Sequence, residues 1–313
     1  MRYKQTPVDE FELIERFFNR RVSRPGVVVG IGDDGAVLQP TPGHEQVQVI
    51  DTLVEGVHFP ADSDAQDIGY RVVAVNLSDI AAMGARPRWM TLALTMPSKT
   101  DQWLADFAGG LFEAAAEFDV ALVGGDTTSG DAVVATVHVT GEVASGKALL
   151  RSGAKVGDTI FVTGTLGDAA AGLELLGRGE RESFLAHRFL RPTARIETGQ
   201  QLVGRANAAI DVSDGLVGDL KKLLDASRVG GELDIDRVPL SDAIKAGFDK
   251  PHRTRQALNG GDDYELCFTA TPDRVEGVAD ITAIGKVTAG PGLTCRQNGV
   301  IVEWDDSGYR HFQ

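Results

Sequence analysis

The chain has 313 residues, 42% of them hydrophobic and 24% charged, which suits two globular domains with buried cores and excludes a disordered or fibrous protein. Its formal net charge is −14. No Lys/Arg run exceeds the pairs Arg20–Arg21 and Lys221–Lys222, so charge argues against nucleic acid or an anionic membrane as partner.

Residues 7–20 predict a short helix with Phe11, Ile14, Phe17 and Phe18 on one face. Residues 27–30 and 36–39 read as extended, 47–51 as a strand, and 65–83 as a helix with Ile68, Val72, Val75, Leu77, Ile80 and Met83 at helical spacing. An apolar strand, 89–96, is closed by Pro97, and a helix spans 100–118. Strands 120–123 and 132–143 flank a loop, GGDTTSGD. The Gly-rich RSGAKVGD (151–158) marks a boundary, giving domains 1–150 and 151–313. The second half predicts strand 159–163, helix 168–176, helical pieces on both sides of Pro192, strand 208–212, helix 216–226, strand 232–235 and a short helix from Ser241. Strands 264–269, 282–287 and 293–304 finish the chain. Both halves mix strands and helices. The fold class is therefore α+β, two domains, each a mixed sheet with helices on one face.

Two strings imitate known fingerprints. GIGDDG (30–35) matches the dinucleotide pattern G-x-G-x-x-G, which requires a helix directly after it. The following AVLQPTPGHEQVQVID holds two prolines and a glycine turn, so it reads as strand–turn–strand. Asp33 and Asp34 would also repel a pyrophosphate unless metal intervened. GEVASGKA (141–148) resembles a phosphate loop but ends in Ala148, where a Mg²⁺-binding hydroxyl is needed; it reads as a turn with Lys147 solvated. The two cysteines, Cys267 and Cys295, lack metal-ligand spacing, and Cys267 reads as core. The N-terminus has no signal-peptide core and no apolar run approaches the roughly 18 residues of a membrane helix, so the chain is expected in the cytoplasm.

The chemistry-bearing pattern is acidic. Aspartates recur beside glycine or at expected strand ends: Asp33 and Asp34, Asp51, Asp79, Asp126, Asp211 and Asp214, Asp262 and Asp263. Asp51, Asp126 and Asp211 are expected to end strands, where carboxylates can gather at one sheet edge and repel unless cations sit between them. Oxygen-only ligands suit Mg²⁺, Mn²⁺ or Ca²⁺, and Mg²⁺ takes one or two carboxylates with substrate phosphates. Each acid also has an ordinary reading as a turn or cap; Asp214 could cap the helix at Leu216.

The strings GIGDDGAVL, DTLVEGVHF, AVNLSDIAAMGA, TLALTMP, GGDTT, LLRSGAKVGD, VTGTLGDAAAGL, FLRPTAR, AIDVSDGL, GGDDYELCF and GYRHF run in order over nearly the whole chain. Together they resemble the thiamine-monophosphate kinase family, in a superfamily with aminoimidazole ribonucleotide synthetase and selenophosphate synthetase. The resemblance implies ATP bound by the N-terminal domain, several Mg²⁺ ions, and a homodimer paired through N-terminal sheets. It implies conversion of thiamine monophosphate and ATP to thiamine diphosphate and ADP. By position it implies Asp34, Asp51, Asp79, Asp126, Asp211 and Asp214 as Mg²⁺ ligands. It likewise implies Gly125, Asp126, Arg151 and Ser213 as nucleotide contacts, and His58, Asp262 and Tyr309 as substrate contacts. Two positions depart from it: Asp262 stands where relatives carry Glu, and Val49–Ile50 where they often carry Ser-Thr. Arg151 could instead pair with an acid, His58 could be a plain surface residue, and Tyr309 could close the C-terminal core.

The implied acceptor is a phosphate monoester with a second pKa near about 6, so it is largely dianionic and needs no general base. No nucleophile or base is expected; direct in-line transfer by positioning and charge neutralisation is. Rival readings are an amidine-forming ligase of the same superfamily and a non-catalytic nucleotide-binding protein. Selenophosphate synthesis is disfavoured because no cysteine precedes Cys267.

Overall fold

The computed structural model describes residues 10–20, 24–305 and 308. It divides into two compact units, residues 1–76 with 87–142 and residues 77–86 with 143–313. The short segment Leu77–Arg86 thus groups with the second unit although it precedes most of the first unit's sheet.

The first unit opens with α1 (Glu10–Leu13), which continues as a π-helical turn over Ile14–Phe18. Residues 7–9 of the expected helix lie outside the described residues. Strands β1 (Val27–Val29) and β2 (Val37–Leu38) pair antiparallel, so GIGDDG is the turn of a strand–turn–strand and no helix follows it. The main sheet holds β3 (His44–Val54), β4 (Arg86–Met96), β5 (Ala121–Ser129) and β6 (Val134–Ala144) in the order β3-β6-β4-β5. Strands β4 and β5 run parallel, which demands a crossover. Helix α3 (Asp101–Glu117) supplies it, started by Thr100, whose hydroxyl accepts the Trp103 N–H at 3.2 Å. Its apolar stripe (Leu104, Phe107, Leu111, Ala114) is buried. Helix α2 (Ala65–Ala82) lies against α3 at backbone distance: a Cβ on Gly69 would fall 2.0 Å from the Phe107 carbonyl, and one on Gly110 1.8 Å from that of Gln66.

In the second unit, seven strands follow: β7 (Thr159–Thr163), β8 (Ala208–Val212), β9 (Gly230–Asp234), β10 (Glu265–Ala270), β11 (Ile281–Thr288), β12 (Gly292–Gln297) and β13 (Val300–Val302). Their order is β13-β12-β9-β11-β7-β10-β8, with β12 parallel to β9 and the other pairs antiparallel. The helices are α4 (Asp168–Gly177), α5 (Phe184–Leu190), α6 (Ile196–Leu202), α7 (Leu216–Ser227), α8 (Asp242–Gly247) and α9 (Lys250–Asn259). A single core joins Ile160, Val162, Ile210 and Cys267 of the sheet to Leu216, Leu220 and Leu223 of α7. Cys267 and Cys295 are free and buried, and burial pushes both thiols upward in pKa.

Several expectations need correction. GGDTTS is not a loop: β5 runs through it to Ser129, because parallel pairing to β4 carries the extended backbone past Asp126. Asp51 and Asp126 therefore lie within β3 and β5 rather than at strand ends, whereas Asp211 is next to last in β8. The expected strand 293–304 is a hairpin, β12 and β13, turned at Asn298 and Gly299, both with positive φ. Helix α9 has no counterpart in the sequence reading: its KPHRTRQALN is too polar to show an apolar stripe, and it starts on the Asp249 cap and Pro251 in its first turn.

Candidate functional site

In the first unit, a cleft of about 630 Å³ opens over the GIGDDG turn and β5. Its lining includes the apolar Ile14 and Phe18 of the N-terminal turn with Leu92, Leu122 and Val123, and also Asp33, Asp34, Gly125 and Asp126. Four acids line this cleft, counting Glu15, and no lysine or arginine among the described residues does. The Asp33 carboxylate accepts the Asp34 N–H at 2.9 Å and holds the turn. No hydrogen bond or ion pair among the described residues reaches the carboxylates of Asp34 or Asp126.

Two glycines of this cleft have different duties. Gly32 has φ +120° with open space where a Cβ would stand, so only its backbone conformation calls for glycine. At Gly125 a Cβ would lie 2.0 Å from the Leu92 carbonyl, so β5 can approach β4 only without a side chain there.

The donor set fits a hard cation. It consists of exposed carboxylate oxygens, without the sulfur or imidazole a softer ion prefers. Among the described residues no three Asp, Glu, His or Cys side chains form a ready cage.

In the second unit, candidates collect beyond the C-terminal end of β8. Asp211 is buried and accepts the Ser78 hydroxyl at 2.8 Å, which places the residue preceding Asp79 beside it. Ser213, Asp214 and Gly215 then turn the chain into α7. The helix N-cap is Gly215, with φ +118° and no side-chain cap, so Asp214 does not cap α7 as its position suggested. Its carboxylate instead accepts Lys222 Nζ at 2.6 Å. The buried acid Asp219 reaches back from the first turn of α7: Oδ2 accepts the N–H of Ser213 at 3.0 Å and of Asp214 at 2.9 Å, and Oδ1 accepts Lys222 Nζ at 2.8 Å. Burial pushes the Asp219 carboxyl up, with Lys222 pulling the other way.

The GGDDY segment packs on this corner. Asp262 N–H donates to the Ser213 carbonyl and Tyr264 N–H to that of Val212, both at 2.9 Å. Asp262 (φ +70°) and Tyr264 (φ +53°) both hold left-handed backbone, a cost seen where surrounding structure over-determines a site. Tyr264 hydroxyl donates to Asp262 Oδ1 at 3.1 Å. Beneath them, the fully buried Asp263 accepts the N–H groups of Gly167 (2.6 Å) and Ala169 (3.2 Å) at the start of α4. Burial drives its carboxyl up to about 8 against the pull of those N–H groups and of Arg188. Glu265, also fully buried, takes both Arg195 Nε (2.6 Å) and Nη2 (2.7 Å), Arg188 Nη2 (2.9 Å) and the Thr163 hydroxyl (2.5 Å). The conspicuous strings FLRPTAR and GGDDYEL thus meet in a buried ion network.

Neither the cleft lining nor the hydrogen bonds at the β8 corner include His58, Asp51 or Arg151. His58 follows β3, and its Nδ1 accepts the Val54 N–H at 3.0 Å, which leaves Nε2 as the donor. Arg151 is exposed, and no carboxylate among the described residues pairs with it. It follows Leu150, whose carbonyl accepts the Ala209 N–H. That is the opposite end of β8 from Ser213, about 13 Å away at ~3.3 Å per residue. Asp51 is half-buried in β3. Tyr309 lies outside the described residues. The phosphate-loop lookalike is a turn after β6, with Lys147 exposed and its N–H on the Ala144 carbonyl. Asp219 and Lys222 were missed from sequence because they fall inside the expected helix 216–226, where even the Gly218–Asp219 pair reads as helix interior; only their three-residue spacing hinted at a pair.

Two family models match, AIR synthase related protein, N-terminal domain over residues 32–143 and C-terminal domain over 155–298. Thiamine-monophosphate kinase of Salmonella typhimurium is 46% identical over 320 residues, covering 97% of this chain and 98% of that relative. The Bacillus subtilis enzyme of that name is 38% identical, covering 98% and 100%. The crystal structure of thiamine-monophosphate kinase from Stenotrophomonas maltophilia aligns at TM-score 0.85 and 42% identity, over 93% of this chain and 97% of that one. AaThiL complexed with AMPPCP and TMP aligns at TM-score 0.79 and 34% identity, over 100% and 99%. With both domain models in order and near-complete coverage by relatives, the chain belongs to the AIR synthase related proteins and, within them, to the thiamine-monophosphate kinase family.

Proposed function

We propose that the chain transfers the terminal phosphoryl group of ATP to thiamine monophosphate, giving thiamine diphosphate and ADP. The observation that carries this reading is the cleft of the first unit: four acids, no cationic side chain among the described residues, a glycine turn and apolar lining residues. A polyphosphate enters such a cleft only when cations neutralise it, and the apolar lining suits a flat base. The relative complexed with AMPPCP and TMP supports a nucleotide and a phosphate-bearing acceptor as the two ligands.

Asp34 and Asp126 would hold Mg²⁺ in the first unit, with Asp51 as a further oxygen donor; Asp79, Asp211 and Asp214 would do so in the second. When bound, Mg²⁺ neutralises phosphate oxygens and aligns attacking and leaving oxygens. Gly125 lets the β5 backbone come close to a phosphate, and Ser213 and Arg151 are assigned to the nucleotide. Asp262, pre-set by its left-handed backbone and by Tyr264, His58 through Nε2, and Tyr309 are assigned to the thiamine monophosphate. The acceptor is already a dianion near neutral pH, so the chain needs to orient and neutralise rather than remove a proton, and transfer is direct and in line. A phosphorylated residue trapped during turnover would overturn that step.

We also place the chain in the cytoplasm as a homodimer joined by its first-unit sheets. The two free buried thiols favour a reducing compartment, and Ile50, 64% exposed on β3, offers apolar surface for pairing. Among the described residues no helix is long and apolar enough to cross a membrane. The deciding assay is Mg²⁺-dependent formation of thiamine diphosphate from thiamine monophosphate and ATP by the purified chain. No product with either ATP or Mg²⁺ varied over millimolar ranges would reject the reading.

A further inference from the structure

Asp219 belongs to none of the assigned contacts, yet it is 1% exposed and spends one carboxylate oxygen on two consecutive backbone N–H groups, those of Ser213 and Asp214. Its other oxygen is held by Lys222, which also binds the Asp214 carboxylate. Ser213 in turn offers its carbonyl to Asp262 N–H. A buried carboxylate left without these partners would be costly, so the bonds and the burial enforce each other. The φ of +118° at Gly215 opens the turn enough for Asp219, four residues on, to reach back over it.

We propose that Asp219 is a positioning residue for phosphoryl transfer: it clamps the Ser213–Asp214 backbone so that this corner is preformed before nucleotide binds. The proposal rests on the assignment of Ser213 and Asp214 to nucleotide and metal. It places a determinant of nucleotide affinity inside α7, away from the ligand, with Lys222 closing the clamp from the solvent side.

Amide hydrogen exchange of the ligand-free full chain tests the clamp directly. The Ser213 and Asp214 amides are expected to be protected like those of β8, although they lie in a turn; exchange at the rate of exposed loops overturns the proposal without any variant. In Asp219→Ala both amides are expected to exchange about tenfold faster, and KM for ATP to rise about tenfold while kcat changes less. Asp219→Asn keeps one acceptor oxygen and is expected to restore protection and KM to within about threefold of wild type. If Ser213→Ala and Asp214→Asn raise KM for ATP while a folded Asp219→Ala does not, the positioning role alone fails. If Ser213→Ala and Asp214→Asn leave KM unchanged, the nucleotide assignment of the corner fails, and the positioning role falls with it.

Discussion

The two glycine–aspartate regions of this chain look alike as strings and differ as structures. In the first unit, GIGDDG is an exposed turn whose Asp34 carboxylate has no partner among the described residues. In the second, SDG and GGDDY are tied down by buried acids: Asp219 under Ser213 and Asp214, Asp263 under the start of α4, and Glu265 between two arginines. Unpaired acids suit a place where cations and phosphates arrive and leave. Clamped backbone with left-handed Asp262 suits a place whose shape must exist before the ligand does. The contrast teaches that acid-plus-glycine marks a polar turn, and that only its partners say whether the acid is available.

Substitutions should separate the two regions cleanly. Asp34→Asn and Asp126→Asn should each lower turnover by about a thousandfold or more, about 4 kcal/mol at ~1.36 kcal/mol per decade, with an unchanged melting temperature. Wild-type turnover in both would collapse the contrast. Glu265→Ala should do the reverse, costing roughly 3–5 kcal/mol of stability in a denaturant titration, because buried Arg188 would lose its carboxylate partner and half-buried Arg195 would keep only Asp280. A stable Glu265→Ala protein with lost activity would place that network in the chemistry instead.

Within the cleft itself, Gly125→Ala should destabilise by roughly 2–4 kcal/mol through its clash with the Leu92 carbonyl. The second unit also carries a pH signature. Asp263 titrates near 8 when folded and near 3.8 when free, so between those values the folded chain binds more protons than the unfolded one. Its contribution to stability is therefore fully present below about pH 4 and falls as pH rises toward 8. Asp263→Asn should flatten that part of a stability–pH profile measured by chemical denaturation; an unaltered slope would show that another group sets it. Smallest of all, Gly32→Ala should cost about 1 kcal/mol, a conformational strain with no clash.

Much of the fold was legible. The apolar periodicity of α2 and α3 and the runs at β4, β7 and β8 are strong because those elements bury one face or both. That no helix follows GIGDDG was legible from the two prolines and glycine turn of residues 36–51, which form β2, a turn and β3, and it disposed of the dinucleotide reading. The extent of β5 was not, since GGDTTS has no strand composition and owes its extended backbone to β4 alongside. Nor was α9, a polar helix held by its cap and by contacts with α4 and α7.

The sequence by itself determined the acidic, glycine-rich character of the conspicuous strings and their order along the chain, because these depend only on residue types and local spacing. Tertiary structure decided which protein donors each acid meets before any ligand arrives. Asp211 is engaged by Ser78, 133 positions away; Asp263 by Gly167, 96 away; Asp214 by Lys222, eight away; while Asp34 and Asp126 meet no cationic side chain among the described residues of their cleft. A carboxylate's availability is set by the donors that surround it in space, and the chain brings those donors from distances over which sequence spacing carries no signal.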